Sequence, residues 1–316
     1  MKVKHTTVVR APVAEVRDLV ADVRWWPLLF ENIVLVEVLE QSDDSDRLRL
    51  WAVDIDAAFD AASSAGGAAE AAPGVLRSWT ARRTFRRTGA PTISFRQEAP
   101  HPPLLSMGGT WEFRAVPGTD SCEVTLAHEV EADGGTDRHP WIGPMVEAAT
   151  NSQLAGLRTV AQLPRGAALS VADLSGAVGV PGGDAGPLDV LANLPALPAL
   201  ADAVRIPLTS DAFLAAEPGR RGHRLTICLG LPGGRVVTKR LRPPAALLAL
   251  TDEWTVNPGT GSADGPRLGV HRRALLSEPR HGQREHGRVH ERVRSCLAAD
   301  LRDRLRQLTA LSTVAA

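Results

Sequence analysis

The chain has 316 residues, enough for two domains that each bury a core of their own. Its 36 basic and 36 acidic residues cancel, which argues against nucleic acid or an anionic membrane surface as the main partner. Three widely separated cysteines, Cys122, Cys228 and Cys296, form neither a disulfide framework nor a metal-binding spacing, and no apolar run is long enough to span a bilayer, so a cytoplasmic setting is expected.

Residues 3–9 predict a strand, and Pro12 opens a helical pattern through Val13, Val16, Leu19 and Val20. An aromatic turn follows at Trp25, Trp26 and Phe30. Strand-like runs then occupy residues 33–39, 47–53, 75–86, 92–98, 109–116 and 122–131, separated by turn residues. Asp43, Asp44 and Asp46 read as an exposed turn. Residues 54–74 are rich in Ala, Ser and Gly, with a lone Phe59, and read as a solvent-exposed insertion. A lid over a cavity is the sharper reading of that segment. From 141 to 163 an apolar stripe through Ile142, Val146, Leu154 and Leu157 predicts a long amphipathic helix. This order is α+β: a large antiparallel sheet buries one face most simply by curving around the long helix. The space between sheet and helix is then a natural cavity.

The second half repeats the first. Pro102-Pro103, Leu104-Leu105, Trp111 and Pro117-Gly118 reappear as Pro243-Pro244, Leu247-Leu248, Trp254 and Pro258-Gly259. Two modules are therefore expected, at residues 1–163 and 165–316. Residues 164–200 read as an eroded start of the second, with a strand at 169–178 and a helix at 187–194. A turn and strand at 197–209, a hairpin from 224–230 and 234–241, a strand headed by Trp254 and another at 267–276 follow. Val289, Val293, Leu297, Leu301, Leu305 and Leu308 stripe a last helix. Nearby His271, His281, His286 and His290 read as solvated.

Strand alternation gives the candidate site. In residues 75–85 the odd face carries Trp79, Arg83 and Phe85. An arginine among aromatic residues needs a partner or a ligand if buried; at a sheet edge it would snorkel to water. Phe95 with Gln97, Trp111 with Phe113, and Leu126 with His128 share faces in the neighbouring runs. If those faces point inward they line a pocket suited to a long, partly apolar substrate with several carbonyls. Ordinary core packing is the competing reading for the aromatic residues, and a structural role the competing one for His128.

The runs Arg24-Trp25-Trp26-Pro27-Leu28-Leu29-Phe30, Ser78-Trp79-Thr80-Ala81-Arg82-Arg83-Thr84, Ser94-Phe95-Arg96-Gln97 and Met107-Gly108-Gly109-Thr110-Trp111 resemble the aromatase/cyclases of bacterial aromatic (type II) polyketide pathways. These belong to the START/Bet v1-like superfamily. The resemblance covers nearly all of residues 1–163 and is weaker beyond, where the two-module layout looks like the didomain branch. It implies tandem helix-grip modules. It implies first-ring aldol closure, between C7 and C12, and dehydration of a ketoreduced poly-β-ketone on an acyl carrier protein, with other synthase components as further partners. It implies no metal or redox cofactor. It implies Arg83 as the catalytic residue, with Trp79, Trp26, Phe30, Phe95, Gln97, Met107, Trp111, Phe113 and His128 against the substrate. The alternative is a non-catalytic binding protein or chaperone for a hydrophobic, polyketide-like molecule. In the second module Cys228 falls where the functional arginine would stand, so that module reads as degenerate or divergent.

Overall fold

The computed structural model describes residues 1–64, 72, 74–163, 171–179, 204–219, 222–257, 267–277 and 283–314. The helix expected at 187–194, the Pro258-Gly259 turn and His281 lie outside the described residues, as does the side chain of His286.

The first half forms β1 (Lys2–Val9), α1 (Val13–Ala21), a short α2 (Trp26–Leu29), β2 (Ile33–Gln41), β3 (Ser45–Val53), β4 (Leu76–Arg86), β5 (Thr92–Gln97), β6 (Leu104–Ala115), β7 (Cys122–Ala132) and a long helix at Ile142–Ala161. The seven strands make one antiparallel sheet in the order β1-β7-β6-β5-β4-β3-β2. From β2 to β7 each strand lies beside the next in sequence, and β1 closes back on β7. From residue 81 on, the odd positions of β4 face inward, as the alternation predicts: Ala81 and Arg83 are buried and Arg82 and Thr84 exposed, whereas at the start of the strand Leu76 is buried and Arg77 exposed.

Between β3 and β4 the structure differs from expectation. Residues Ile55–Ser64 form a helix, α3, with Ala58 and Ala62 buried. The Ala content that suggested a loose insertion is the best helix-forming composition, and the Asp54 carboxylate caps the first turn through the Ala57 N–H at 3.1 Å. The long helix at Ile142–Ala161 is then α4. It packs on β1 and β7 and touches α1 and α2. Gly156 permits the last of these contacts: a Cβ there would collide with the Leu29 carbonyl oxygen.

The second half forms β8 (Val171–Gly179), β9 (Val204–Thr209), β10 (Ala212–Gly219), β11 (Gly222–Leu231), β12 (Arg235–Leu241), β13 (Leu247–Asn257), β14 (Arg267–Leu276) and α5 (Gln283–Val314). Its sheet runs β8-β14-β13-β12-β11-β10-β9, the same order in the same sense. Both copies of the Leu-Leu…Trp repeat land on the sixth strand of their sheet, with Trp111 and Trp254 buried. β10 was not expected, because its sequence, AFLAAEPG, is Ala-rich and carries Pro218. Tertiary pairing with β9 and β11 overrides the weak local preference. His290 is buried rather than solvated, since it lies on the inner stripe of α5 beside the Ser277 carbonyl.

By contacts the chain divides into two compact units, Met1–Ala52 with Arg77–Pro164, and Val53–Leu76 with Arg165–Ala316. The unit built around the second sheet thus includes α3, which packs on β9 and β11. Arg242 holds it by an ion pair to Asp56 at 2.8 Å and by stacking over the Phe59 ring.

Candidate functional site

The site of the first module begins with a single row across the sheet. Registers place Arg83, Phe95, Gly109 and His128 directly beside one another on four adjacent strands. All four point to the helix side, because His128 on β7 reaches Thr150 on α4.

Arg83 is 2% exposed, so it is neither at an edge nor snorkelling. Its Nε donates to Asp46 Oδ1 at 2.9 Å and its Nη2 to Asp46 Oδ2, a bidentate fork. Nη1 donates to the Val20 carbonyl at 2.9 Å and Nη2 to that of Ala21 at 2.8 Å. Those are the last carbonyls of α1, where a cation also meets the negative end of the helix dipole. The guanidinium lies between the rings of Trp26 and Phe85, at 5.2 and 5.0 Å. Asp46, read from the sequence as part of an exposed turn, is instead the buried counter-charge. β3 starts two residues earlier than the pattern suggested, and that places Asp46 on the strand facing β4.

The opposite end of the row is a histidine held neutral. His128 is buried, and desolvation lowers its pKa to about 4. Its Nδ1 is 2.9 Å from Thr150 Oγ1, and that hydroxyl sits 2.7 Å from the Val146 carbonyl. A hydroxyl has one proton, and the carbonyl can only accept it. Thr150 therefore accepts from Nδ1–H, which leaves the lone pair on Nε2. The Phe95 ring meets the imidazole edge-on at 5.4 Å. It can lie there because residue 109 is glycine; a Cβ would come within 2.6 Å of Phe95 Cζ.

An aromatic cluster backs the row. Trp26 packs edge-on against Phe30, and Phe30 stacks on Trp111. The Trp26 indole donates to the Val20 carbonyl at 3.0 Å, so this ring is anchored by the same turn as Arg83. Gln97 stands beside Ala81 one step along the sheet, half-buried, and its Oε1 is buried without a hydrogen-bond partner. Trp79 is half-buried on the Arg83 face. Met107 packs into the apolar cluster of Val130, Ile142 and Val146, and Phe113 is fully buried. The fold thus brings Arg83, Trp26, Phe30, Phe95, Trp111 and His128 together and places Met107 and Phe113 in packed core. Asp46 and Thr150 escaped the sequence reading because neither belongs to a periodic apolar pattern. An open groove of about 540 Å³ runs over β4–β6, lined by Phe95, Gln97 and Gly109 of this site together with Arg82, Thr84, Arg96 and Glu98.

The matching row of the second module is Cys228, Thr238, Asp252 and Arg272, two residues before Trp254 as the first row is two before Trp111. Cys228 does fall at the Arg83 position. Burial pushes its thiol up to about 12, so it stays protonated. The row is not stripped of charge, however. Arg272 is fully buried, with a bidentate pair to Asp252 at 2.6 and 2.8 Å and a further bond to Asp300 of α5 at 2.6 Å. Among the described residues, no three His, Cys, Asp or Glu side chains are grouped to hold a metal ion.

A family profile described as polyketide cyclase / dehydrase and lipid transport matches residues 9–152. The actinorhodin polyketide synthase bifunctional cyclase/dehydratase of Streptomyces coelicolor is 28% identical over 281 residues, spanning 83% of this chain and 82% of that protein. The granaticin polyketide synthase bifunctional cyclase/dehydratase of Streptomyces virginiae is 30% identical over 162 residues, 50% of this chain and 45% of that protein. Among solved structures, the di-domain ARO/CYC BexL from the BE-7585A biosynthetic pathway superposes with a TM-score of 0.72 at 23% identity, covering 99% of this chain and 98% of that one. The di-domain ARO/CYC StfQ from the steffimycin biosynthetic pathway gives 0.70 at 20% identity, covering 98% of each chain. At those identities the likeness is one of fold. The first module thus matches the polyketide cyclase / dehydrase and lipid transport profile, and as a whole the chain has the α+β, two-module fold of the di-domain ARO/CYC proteins.

Proposed function

We propose that this chain is a polyketide cyclase and aromatase working with synthase components. It closes the first ring of a ketoreduced poly-β-ketone by aldol condensation between C7 and C12, with the chain presented on an acyl carrier protein, and then dehydrates that ring. The cyclase/dehydratase reading is supported by the family match and by the homologues of that name. The observation that carries the chemistry is the neutral His128, tautomerically fixed by Thr150, on the same inner row as Arg83.

The carbon between two ketones is acidic enough for a neutral imidazole to take its proton when the product anion is stabilised beside it. His128 Nε2 accepts that proton, and the enolate carbon attacks the distant ketone. The resulting alkoxide takes a proton back, and loss of water, with a second water lost from the reduced carbon where that carbon lies in the ring, gives the aromatic ring. Four of the five Arg83 N–H groups are committed to Asp46, Val20 and Ala21. The remaining Nη1–H is the donor assigned to a substrate oxygen. Gln97 Oε1, buried and unpaired, accepts from an enol O–H. Trp26, Phe30, Phe95 and Trp111 fold the chain so that one carbon pair meets, a proximity effect.

The test is product analysis of a reconstituted synthase with its acyl carrier protein. Adding the protein should convert shunt products to one ring-closed aromatic product, and His128→Leu should cut that conversion about a hundredfold while the fold is retained. Unchanged conversion with folded His128→Leu removes the base role. Binding without any change in products would instead make the protein a carrier.

A further inference from the structure

Thr226 on β11 and Arg240 on β12 lie directly opposite one another in the second module. They occupy the places that Ala81 and Gln97 take in the first, one step along the sheet from the Cys228 and Arg83 row. They face the helix side, since they share the parity of Thr238, in whose row Arg272 reaches Asp300 on α5. Thr226 Oγ1 and Arg240 Nη1 are buried, and neither has a hydrogen-bond partner. Arg240 Nη2 is held by the buried Glu217 at 3.2 Å, so the guanidinium is aimed by a carboxylate behind it. A buried polar atom left unpaired costs about 1–3 kcal/mol. Two on facing positions are therefore a costly arrangement unless a ligand pairs with them.

There is also room. Along the neighbouring row the first module has Arg83 and Phe95, and the second has Cys228 and Thr238. At the next position Phe85 is replaced by Gly230. On these two strands the changes remove side-chain volume from the inner face, whereas on the next strand Gly109 is replaced by Asp252. The donors present, a guanidinium N–H and a hydroxyl, fit a polarised oxygen acceptor.

We infer that the second module holds a binding site of its own, in which Arg240 and Thr226 grip a ketone or phenolate oxygen of an oligoketide or aromatic small molecule. The choice of ligand class rests on the polyketide reading; the site rests on the unpaired atoms and the smaller lining. The site orients a ligand and performs no chemistry, because Cys228 stays a thiol and the Arg272 guanidinium is held by Asp252 and Asp300.

Calorimetric titration of the full chain with dibenzoylmethane, a diaryl β-diketone, tests it, with diphenylpropane as the ketone-free control. Two sites per chain are expected. Thr226→Val and Arg240→Gln should each weaken one of them about tenfold, the effect of one hydrogen bond to a charged or polar donor. Gln97→Leu should affect only the other. Thr226→Val is isosteric and removes a hydroxyl that has no partner, so it should melt no lower than the parent and decides the matter if Arg240→Gln fails to fold. A space filled by water alone would show no site that responds to Thr226→Val, and that result overturns the proposal. A single site that responds to Thr226→Val but not to Gln97→Leu keeps it and counts against substrate binding in the first module.

Discussion

The Arg83–Asp46 pair allows folding and catalysis to be separated, which substitution of Arg83 alone does not. Both side chains are almost wholly buried, at 2% and 5% exposure, and two of the four hydrogen bonds of Arg83 go to Asp46. Removing either partner strands a buried charge, and breaking such pairs costs about 3–5 kcal/mol. For a module of this size that is a fall in melting temperature of about 10 °C. Asp46→Leu and Arg83→Met should therefore each melt about 10 °C lower and lose product for want of folded protein. The double variant replaces the pair by apolar groups of similar bulk, a change that is often neutral, and should regain most of the melting temperature. If Arg83 contributes an N–H to the reacting oxygen, the refolded double variant still gives no ring-closed product. The assay is differential scanning calorimetry of all four proteins beside product analysis with the reconstituted synthase. Additive losses, with no recovery in the double variant, would refute the account of the buried pair. Full recovery of product in the double variant would refute a catalytic Arg83.

Three further outcomes are expected. The folded-state pKa of His128 is lowered to about 4 from 6.5, so the unfolded chain takes up a proton first as pH falls. Stability is fully present above about pH 6.5 and falls as pH drops toward 4, by up to about 3 kcal/mol, and His128→Gln should flatten that part of a melting profile. Gly109→Ala should cost about 1–3 kcal/mol, because the added methyl meets the Phe95 ring and the Ala127 carbonyl; denaturant melts would show it, and an unchanged midpoint would deny the close approach. Asp54→Ala removes the α3 cap at a cost of about 1 kcal/mol, and limited proteolysis should then cut within Ile55–Ser64 faster than in the parent.

Much of the scaffold was legible in the chain. Period-two alternation found the strands of the first sheet, the apolar stripe found α4 within two residues at either end, and the repeated Leu-Leu…Trp segment announced two modules. These are local signals, carried by side chains a few residues apart. The inner face of β4 was also readable, so Arg83 could be placed inside before its partner was known.

What holds Arg83 could not be read that way. Asp46 is 37 residues away in sequence and Val20 is 63, and only strand pairing and the end of α1 bring them to one guanidinium. The same holds for His128, whose tautomer is set by a threonine on α4. The second module is the clearest case. Its sequence shows a cysteine where an arginine was sought, and that reading of the register is correct. Yet its charge lies elsewhere on the same face, at Arg272 with Asp252 and at Arg240 with Glu217. Sequence alone determined the strands of the first sheet, the long helices and the duplication, because periodicity is written residue by residue. Tertiary structure decided which charges are paired and which polar atoms are left to meet a ligand, because a buried charge is defined by neighbours that only the closed sheet supplies.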